Sequence, residues 1–249
     1  MRPPDMSFAD DHCEIRVSGP IAVVHDREQD RYFRASIDSL PVSVQSALRV
    51  SPKRVPAGFA IGAVALTVLT WTAVAVTSAS NAQLDGRAFA AFAAVLIPSP
   101  VLHESAHVLT LRALGRRPDR IGVKLNHGVF PAVYVRMSQT ILLDRSEQAV
   151  VHLAGIASNV VSLAALLVLN ELWIGSTSLT FAIHLTTLLL GWNLIPVLGS
   201  DGFRVLLALG RIDAARGFRH NPLWLNVLRV ASMATAVCVV LHLVLTYWK

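Results

Sequence analysis

The sequence predicts an all-α polytopic membrane protein with about five transmembrane helices, a small cytoplasmic N-terminal segment and a membrane-associated β-hairpin. Three observations predict it. Of the 249 residues, 53% are hydrophobic and 15% charged, with a mean hydropathy of +0.53, too apolar for the surface a soluble domain of this length must solvate. The apolar residues gather in blocks of about 20, the length a helix needs to cross roughly 30 Å of hydrocarbon. The cationic residues fall between those blocks and alternate in density from loop to loop. Soluble enzyme folds are disfavoured on this ground. So is a nucleic-acid partner, because the net charge of +6 is dispersed among loops rather than gathered in one basic stripe.

Residues 1–55 read as the cytoplasmic segment and 56–249 as the transmembrane domain. In the first, Ile21 to Val24 and Tyr32 to Ala35 look like two strands around the charged turn Asp26 to Asp30, with a helix near Val42 to Leu48. So short a segment is expected to bury little core by itself. It lacks the apolar stretch of a cleavable signal peptide, so the N-terminus is expected to stay on the mature chain. Five apolar blocks follow: Pro56 to Ser78, Ala88 to Leu111, Ala149 to Asn170, Ser178 to Val197 and Trp224 to Trp248. Lys plus Arg number 8 before the first block, 1 after it, 7 in the next loop, 0 in the next, 5 up to and including Arg229, and 1 at the end. By the positive-inside rule the N-terminus, the 112–148 loop and the 198–223 loop face the cytoplasm of a cell membrane, and the C-terminus lies outside. Trp224, Tyr247 and Trp248 mark the ends of the last block, where interfacial aromatics belong. The two cysteines, Cys13 in the polar N-terminus and Cys238 in a late apolar block, suggest no disulfide framework and fit a reducing or membrane setting. Arginine far outnumbers lysine, which fits a GC-rich bacterial genome.

In the 112–148 loop, Ile121, Val123 and Leu125 alternate with polar residues, Asn126-His127-Gly128 reads as a turn, and Val129 to Val135 returns as a strand. An edge of this hairpin can pair with an extended peptide by strand addition. Pro131 favours an edge or bulge over a central strand. An interfacial loop without substrate contact is an equally good reading.

The chemistry lies in the second block, which contains His103-Glu104-Ser105-Ala106-His107. Residues four apart share a helix face, so both imidazoles can reach one Zn²⁺ while Glu104 addresses the water beside it. An intramembrane carboxylate costs on the order of 3 kcal/mol on insertion scales, which argues for a functional Glu104. The competing reading is a pair of histidines that only bridge helices by hydrogen bonds. A catalytic zinc needs a third protein ligand and an open position. Asp201 is the best candidate, since from the loop charges the second and fourth spans run in the same direction and bring His103, His107 and Asp201 to the cytoplasmic side. Asp201 can alternatively cap the stretch Phe203 to Leu209, a role Ser200 fills equally well. Pro98 and Pro100 remove two backbone donors just before His103, which either kinks the span to admit water or serves packing. His152, His184 and His242 lie in other spans and read as packed residues outside the site; His127 needs no special role.

The H-E-x-x-H in one span, with Asn193-x-x-Pro196 followed by Asp201-Gly202 in a later one, resembles the site-2 protease family of intramembrane zinc metalloproteases. Ala154-Gly155-Ile156-Ala157-Ser158-Asn159 is similar to that family's A-G-P-x-x-N segment, with Ile156 in place of proline, and Ser200 stands where a leucine usually precedes the D-G. The resemblance covers about residues 90–210. It implies Zn²⁺ bound by His103, His107 and Asp201, Glu104 as catalytic base, and Asn159 and Asn193 as polar groups near the substrate. The run "VVHDREQDRYFRAS" from Val23 to Ser36 resembles part of the PqqD-like modules that bind leader peptides of ribosomally made, modified peptides. The resemblances together imply an endopeptidase acting on a membrane-associated or precursor peptide, with leader cleavage or maturation of a modified peptide as the first option. Regulated cleavage of an anti-sigma or pro-sigma factor is the second, and a non-hydrolytic metal-binding scaffold or transporter the third. The implied partners are a peptide or transmembrane segment and the lipid bilayer.

Overall fold

The computed structural model describes residues 5–79, 85–126, 130–194, 200–212, 222–231 and 233–234. The N-terminal residues alternate apolar and polar side chains, and they form strands β1 (Met6–Ala9), β2 (Cys13–Ser18), β3 (Ile21–Asp26) and β4 (Arg31–Ser36), helix α1 (Val42–Ala47) and the short β5 (Arg49–Val50). The five strands make one antiparallel sheet in the order β4-β3-β2-β1-β5. Ile15, Val17, Ala22, Val24 and Leu40 are buried together between the sheet and the segment around α1. This corrects two expectations: the segment has five strands rather than two, and it has a core of its own. The all-α class therefore holds only for the remainder, apart from the hairpin. The second strand alternates apolar and polar residues, but its polar positions, Glu14 and Arg16, do not face open water.

Those two residues meet the rest of the chain. Arg16 is buried and donates to the Leu142 carbonyl at 3.0 Å, to Asp5 at 3.0 Å and to Asp144 at 2.9 Å. Glu14 takes both terminal nitrogens of Arg116, and Arg54 donates to the Leu114 carbonyl at 2.6 Å. Burial disfavours the Glu14 carboxylate, but the hydrogen bonds and charge of Arg116 outweigh it and hold the group below its ordinary 4.5.

Beyond Pro56 the chain is helical: α2 (Ala57–Thr77), α3 (Gly86–Leu96), α4 (Ser99–Ala113), α5 (Arg145–Leu169), α6 (Thr177–Leu194) and α7 (Asp201–Leu209). Among the described residues three helical stretches are long and apolar enough to cross a membrane: Ala57–Thr77, Gly86–Ala113 and Arg145–Ile174. These correspond to the first three apolar blocks. The fourth block is helical as α6 up to Leu194, and its last residues, 195–197, lie outside the described residues. Residues 224–231 and 233–234 of the fifth are helical, while most of the remainder, with Cys238, His242, Tyr247 and Trp248, lies outside the described residues. The second block breaks at Ile97–Pro98, where Pro98 and Pro100 deny amide donors to the carbonyls of Ala94 and Leu96 and a new helix starts.

Helix α5 is the hub, packing against α2, α4, α6 and α7. Its first turn is fastened by Glu147, whose carboxylate accepts from the Asp144 amide at 2.9 Å. Ile156, Val160, Leu163 and Leu167 meet Val74, Val95, Ala182, Ile183 and Leu190 in the main apolar core. The expected hairpin is present as β6 (Arg120–Asn126) and β7 (Phe130–Arg136), paired from Arg120↔Arg136 to Asn126↔Phe130. Its predicted turn at His127 and Gly128 lies outside the described residues. Pro131 stands opposite Leu125 and is tolerated because each strand of a two-stranded sheet has a free edge.

Candidate metal centre

Helix α4 carries His103 and His107 one turn apart, so both imidazoles project from one side of the helix, against α5. Both are buried, and their ring centroids are 4.7 Å apart, edge to face. Asp201 opens α7, and the competition between ligand and cap is resolved one residue earlier: Ser200 is the N-cap, its hydroxyl accepting from the Phe203 amide at 3.1 Å. The carboxylate of Asp201 is free to turn inward. Gly202 permits this, because a Cβ at that position would come within 2.8 Å of the Asn193 carbonyl at the end of α6.

One carboxylate oxygen, Asp201 Oδ2, lies 2.8 Å from His103 Nε2 and 3.3 Å from His107 Nε2, and the two nitrogens are 3.1 Å apart. Donors at the usual zinc distance of about 2.0 Å stand roughly 3.3 Å from one another at the corners of a tetrahedron, so this triangle matches one face of such a site. The donor chemistry agrees. His107 Nδ1 lies 2.7 Å from the Val151 carbonyl, and since a carbonyl only accepts, Nδ1 carries the proton and Nε2 presents its lone pair to the cluster. Among the described residues this is the one group of three metal-capable side chains close enough to share an ion.

The cluster opens on a cavity of about 960 Å³ whose wall includes Glu104, Val135, His152, Asn159, Asn193 and Arg204. Glu104, next to His103 in sequence, lies beside the Val135 backbone of β7. No family model matches the chain, and no solved structure matches it. Over 246 residues it is 28% identical to "Putative peptide zinc metalloprotease protein YydH" of Bacillus subtilis (strain 168), an alignment that covers 96% of this chain and 97% of that protein. The likeness runs nearly end to end. It is consistent with the resemblance to site-2 proteases.

The sequence-derived residues do not all land in the same place. His103, His107, Asp201 and Glu104 converge; Asn193 is exposed at the cavity wall. Asn159, buried in the cavity wall, stands beside His103, its side-chain nitrogen 3.5 Å from His103 Nδ1. His152, read from sequence as a packed residue outside the site, belongs to the cavity wall: its Nδ1 is 3.8 Å from Asp201 Oδ1 and its ring lies 6.5 Å from that of His107. Gly155 was part of a motif without a stated task. A Cβ there would lie 2.5 Å from His107 Nε2 and 2.6 Å from His103 Nε2, so only glycine leaves the two imidazoles their place. The sequence signal for all three is a stripe: His152, Gly155 and Asn159 recur at intervals of three and four, the spacing of one helix face, inside an otherwise apolar helix. His184 packs outside the site, as the sequence predicts, with Nδ1 3.3 Å from the Ser78 hydroxyl.

Proposed function

We propose that this chain is an intramembrane zinc metalloprotease in which His103, His107 and Asp201 hold the ion and Glu104 is the catalytic base. The observation that carries the reading is the convergence of three zinc-type donors beside a second carboxylate, that of Glu104, at one cavity in a bundle whose outer faces are apolar. The name of the B. subtilis relative supports both zinc and a peptide substrate. A zinc ion in this site supplies Lewis acidity toward water and toward a peptide carbonyl. Glu104 takes the proton of the attacking water and returns it to the leaving amine. A helical substrate hides its carbonyls in internal hydrogen bonds and must be held extended. Strand β7 supports such a role: β6 occupies one of its edges, and Val133 to Met137 line the cavity next to Glu104, so a peptide segment can add along the other edge.

The substrate we propose is a ribosomally made precursor peptide, cleaved during leader removal or maturation. The PqqD-like run from Val23 to Ser36 supports this, since it falls on β3 and the sheet-edge strand β4 of a folded module tied to the end of α4. The chain would sit in a bacterial cell membrane with this module in the cytoplasm. The test is zinc content and cleavage in detergent on a panel of precursor and transmembrane peptides, comparing the native chain with Glu104→Gln. About one zinc per chain, retained by the variant together with a loss of about 10² to 10⁴ in rate, is the expected result. Unchanged cleavage by Glu104→Gln sinks the mechanism, and metal retention without Glu104-dependent cleavage of any peptide favours a non-catalytic scaffold. Cleavage confined to transmembrane segments of signalling proteins would redirect the substrate assignment.

A further inference from the structure

Each of the three converging side chains has a second polar atom facing away from the cluster, and each of these atoms faces α5. His107 Nδ1 meets the Val151 carbonyl at 2.7 Å. His103 Nδ1 meets the Asn159 amide at 3.5 Å. Asp201 Oδ1, the oxygen turned away from the two imidazoles, meets His152 Nδ1 at 3.8 Å. Of these contacts only the first is a complete hydrogen bond. Asn159 Oδ1 and His152 Nδ1 are both buried with no hydrogen-bond partner, which a folded chain rarely tolerates without a reason, since each such atom has lost its water for nothing.

We infer that Asn159 and His152 are positioning residues for the metal ligands, Asn159 as acceptor for His103 Nδ1–H and His152 as donor to Asp201 Oδ1. This rests on the metal-centre reading given above. The argument for Asn159 starts from the imidazole. If His103 Nε2 gives its lone pair to a metal, Nδ1 carries the proton and requires an acceptor. The nearest polar side chain is Asn159, whose oxygen is orphaned while its nitrogen faces Nδ1. The two ends of an amide are alike in shape, and turning the amide by 180° brings the oxygen to the imidazole N–H. For His152 the argument is directional. A carboxylate that ligates through Oδ2 leaves Oδ1 with lone pairs pointing at His152, and an N–H there holds the carboxylate against rotation. With the Val151 carbonyl on His107, positions 151, 152 and 159 of a single helix then orient all three ligands, and Gly155 between them makes the room. The assignment also moves Asn159 from substrate contact, where the family resemblance put it, to support of the metal site.

The test is metal affinity of the full-length chain in detergent, read by competition of Zn²⁺ with a chromophoric chelator and by the d–d spectrum of the Co²⁺-substituted protein, with no peptide present. Asn159→Leu is expected to weaken Zn²⁺ binding about 10- to 100-fold, whereas Asn159→Asp, which can accept but not donate, keeps it within a few-fold. His152→Leu is expected to weaken binding to a similar degree and to alter the Co²⁺ spectrum, with His152→Gln, which retains a donor, recovering most of the affinity. A packing role predicts the opposite order, because leucine fills either position without a polar contact. Native affinity in Asn159→Leu and His152→Leu overturns the proposal, and so does an Asn159→Asp variant as weak as Asn159→Leu. Thermal unfolding of each variant separates lost affinity from lost fold. Failure of the native chain to bind Zn²⁺, or binding unaffected by His103→Ala, instead overturns the metal-centre reading on which the assignment stands.

Discussion

Two buried polar clusters hold this molecule together at different places, and they differ in how completely their members are paired. At the seam between the N-terminal sheet and the helical bundle, Arg16 spreads its guanidinium over the Leu142 carbonyl, Asp5 and Asp144, Glu14 takes Arg116, and Glu147 accepts from the amides of both Arg54 and Asp144. At the candidate metal centre, two imidazoles and a carboxylate crowd together within 3.3 Å, while Asn159 Oδ1 and His152 Nδ1 are buried with no partner at hydrogen-bond distance. A cluster whose opposite charges pair with one another needs no ligand, and its job is adhesion. A cluster whose lone pairs converge on one point is incomplete without a further charge, and that asymmetry marks a site independently of any motif.

The strongest way to break the comparison is Gly155→Ala. A Cβ at that position would meet both imidazoles, so Zn²⁺ retention after dialysis should fall to background while circular dichroism stays helical. Full retention would show that the ligands can assemble elsewhere. Next in size is Arg16→Met. It leaves the buried Asp144 and the partly buried Asp5 as uncompensated carboxylates and should cost about 3 kcal/mol in a denaturant titration, with no change in zinc content per folded chain. Pairing it with Asp144→Asn should return part of the loss, since the stranded charge goes with its partner. A change in zinc affinity from Arg16→Met alone would mean that seam and site are one cooperative unit rather than two clusters with separate tasks.

How much of this was legible beforehand follows from what each region shows in sequence. The spans are visible because about 20 apolar residues in a row have few soluble readings, and the ligands are visible because two histidines at a spacing of four share a helix face. The sheet was half legible. Strands β3 and β4 flank an obvious charged turn, but β2 places Glu14 and Arg16 where alternation leads one to expect a solvent face, and what they bind, Arg116 and Asp144, lies 102 and 128 residues away. His152 was read as packing because a lone histidine on an apolar helix usually is; its role depends on Asp201 arriving from a helix further along the chain, which no local pattern announces. Gly155 was in view as a motif letter, but the reason for it is the position of two rings on another helix.

The seam can also be loosened without mutation. Glu14 is held below its ordinary 4.5 because, against burial, Arg116 favours its charged form. A carboxylate depressed in the folded state stabilises the fold above its unfolded pKa, and that contribution is lost as the pH falls through that value toward the folded one. Melting temperature should therefore drop on acidification from about pH 5 to pH 3, and less steeply in Glu14→Gln, which has no such charge to lose. Parallel acid profiles for the two proteins would remove Glu14 from the seam.

The smallest expected effect tests where the seam touches the helix that bears the ligands. Arg54 donates to the Leu114 carbonyl just beyond the end of α4, where unpaired carbonyls and the negative end of the helix dipole favour a cation. Gly115, at φ +73°, turns the chain there, and a Cβ on it would come within 3.1 Å of Arg54 Nη1, so the guanidinium lies directly over the turn. Arg54→Ala should cost about 1 kcal/mol, close to the resolution of a denaturant titration. Hydrogen exchange at the amides of residues 110–114 reads the same event locally, because fraying of the last turn raises exchange there before the helix as a whole opens. Faster exchange confined to that turn, with His103 and His107 still binding Zn²⁺ at native affinity, would show that the seam anchors α4 at its end and leaves the metal centre to α5. Faster exchange extending back to His107 would instead make the N-terminal sheet part of the support of the site.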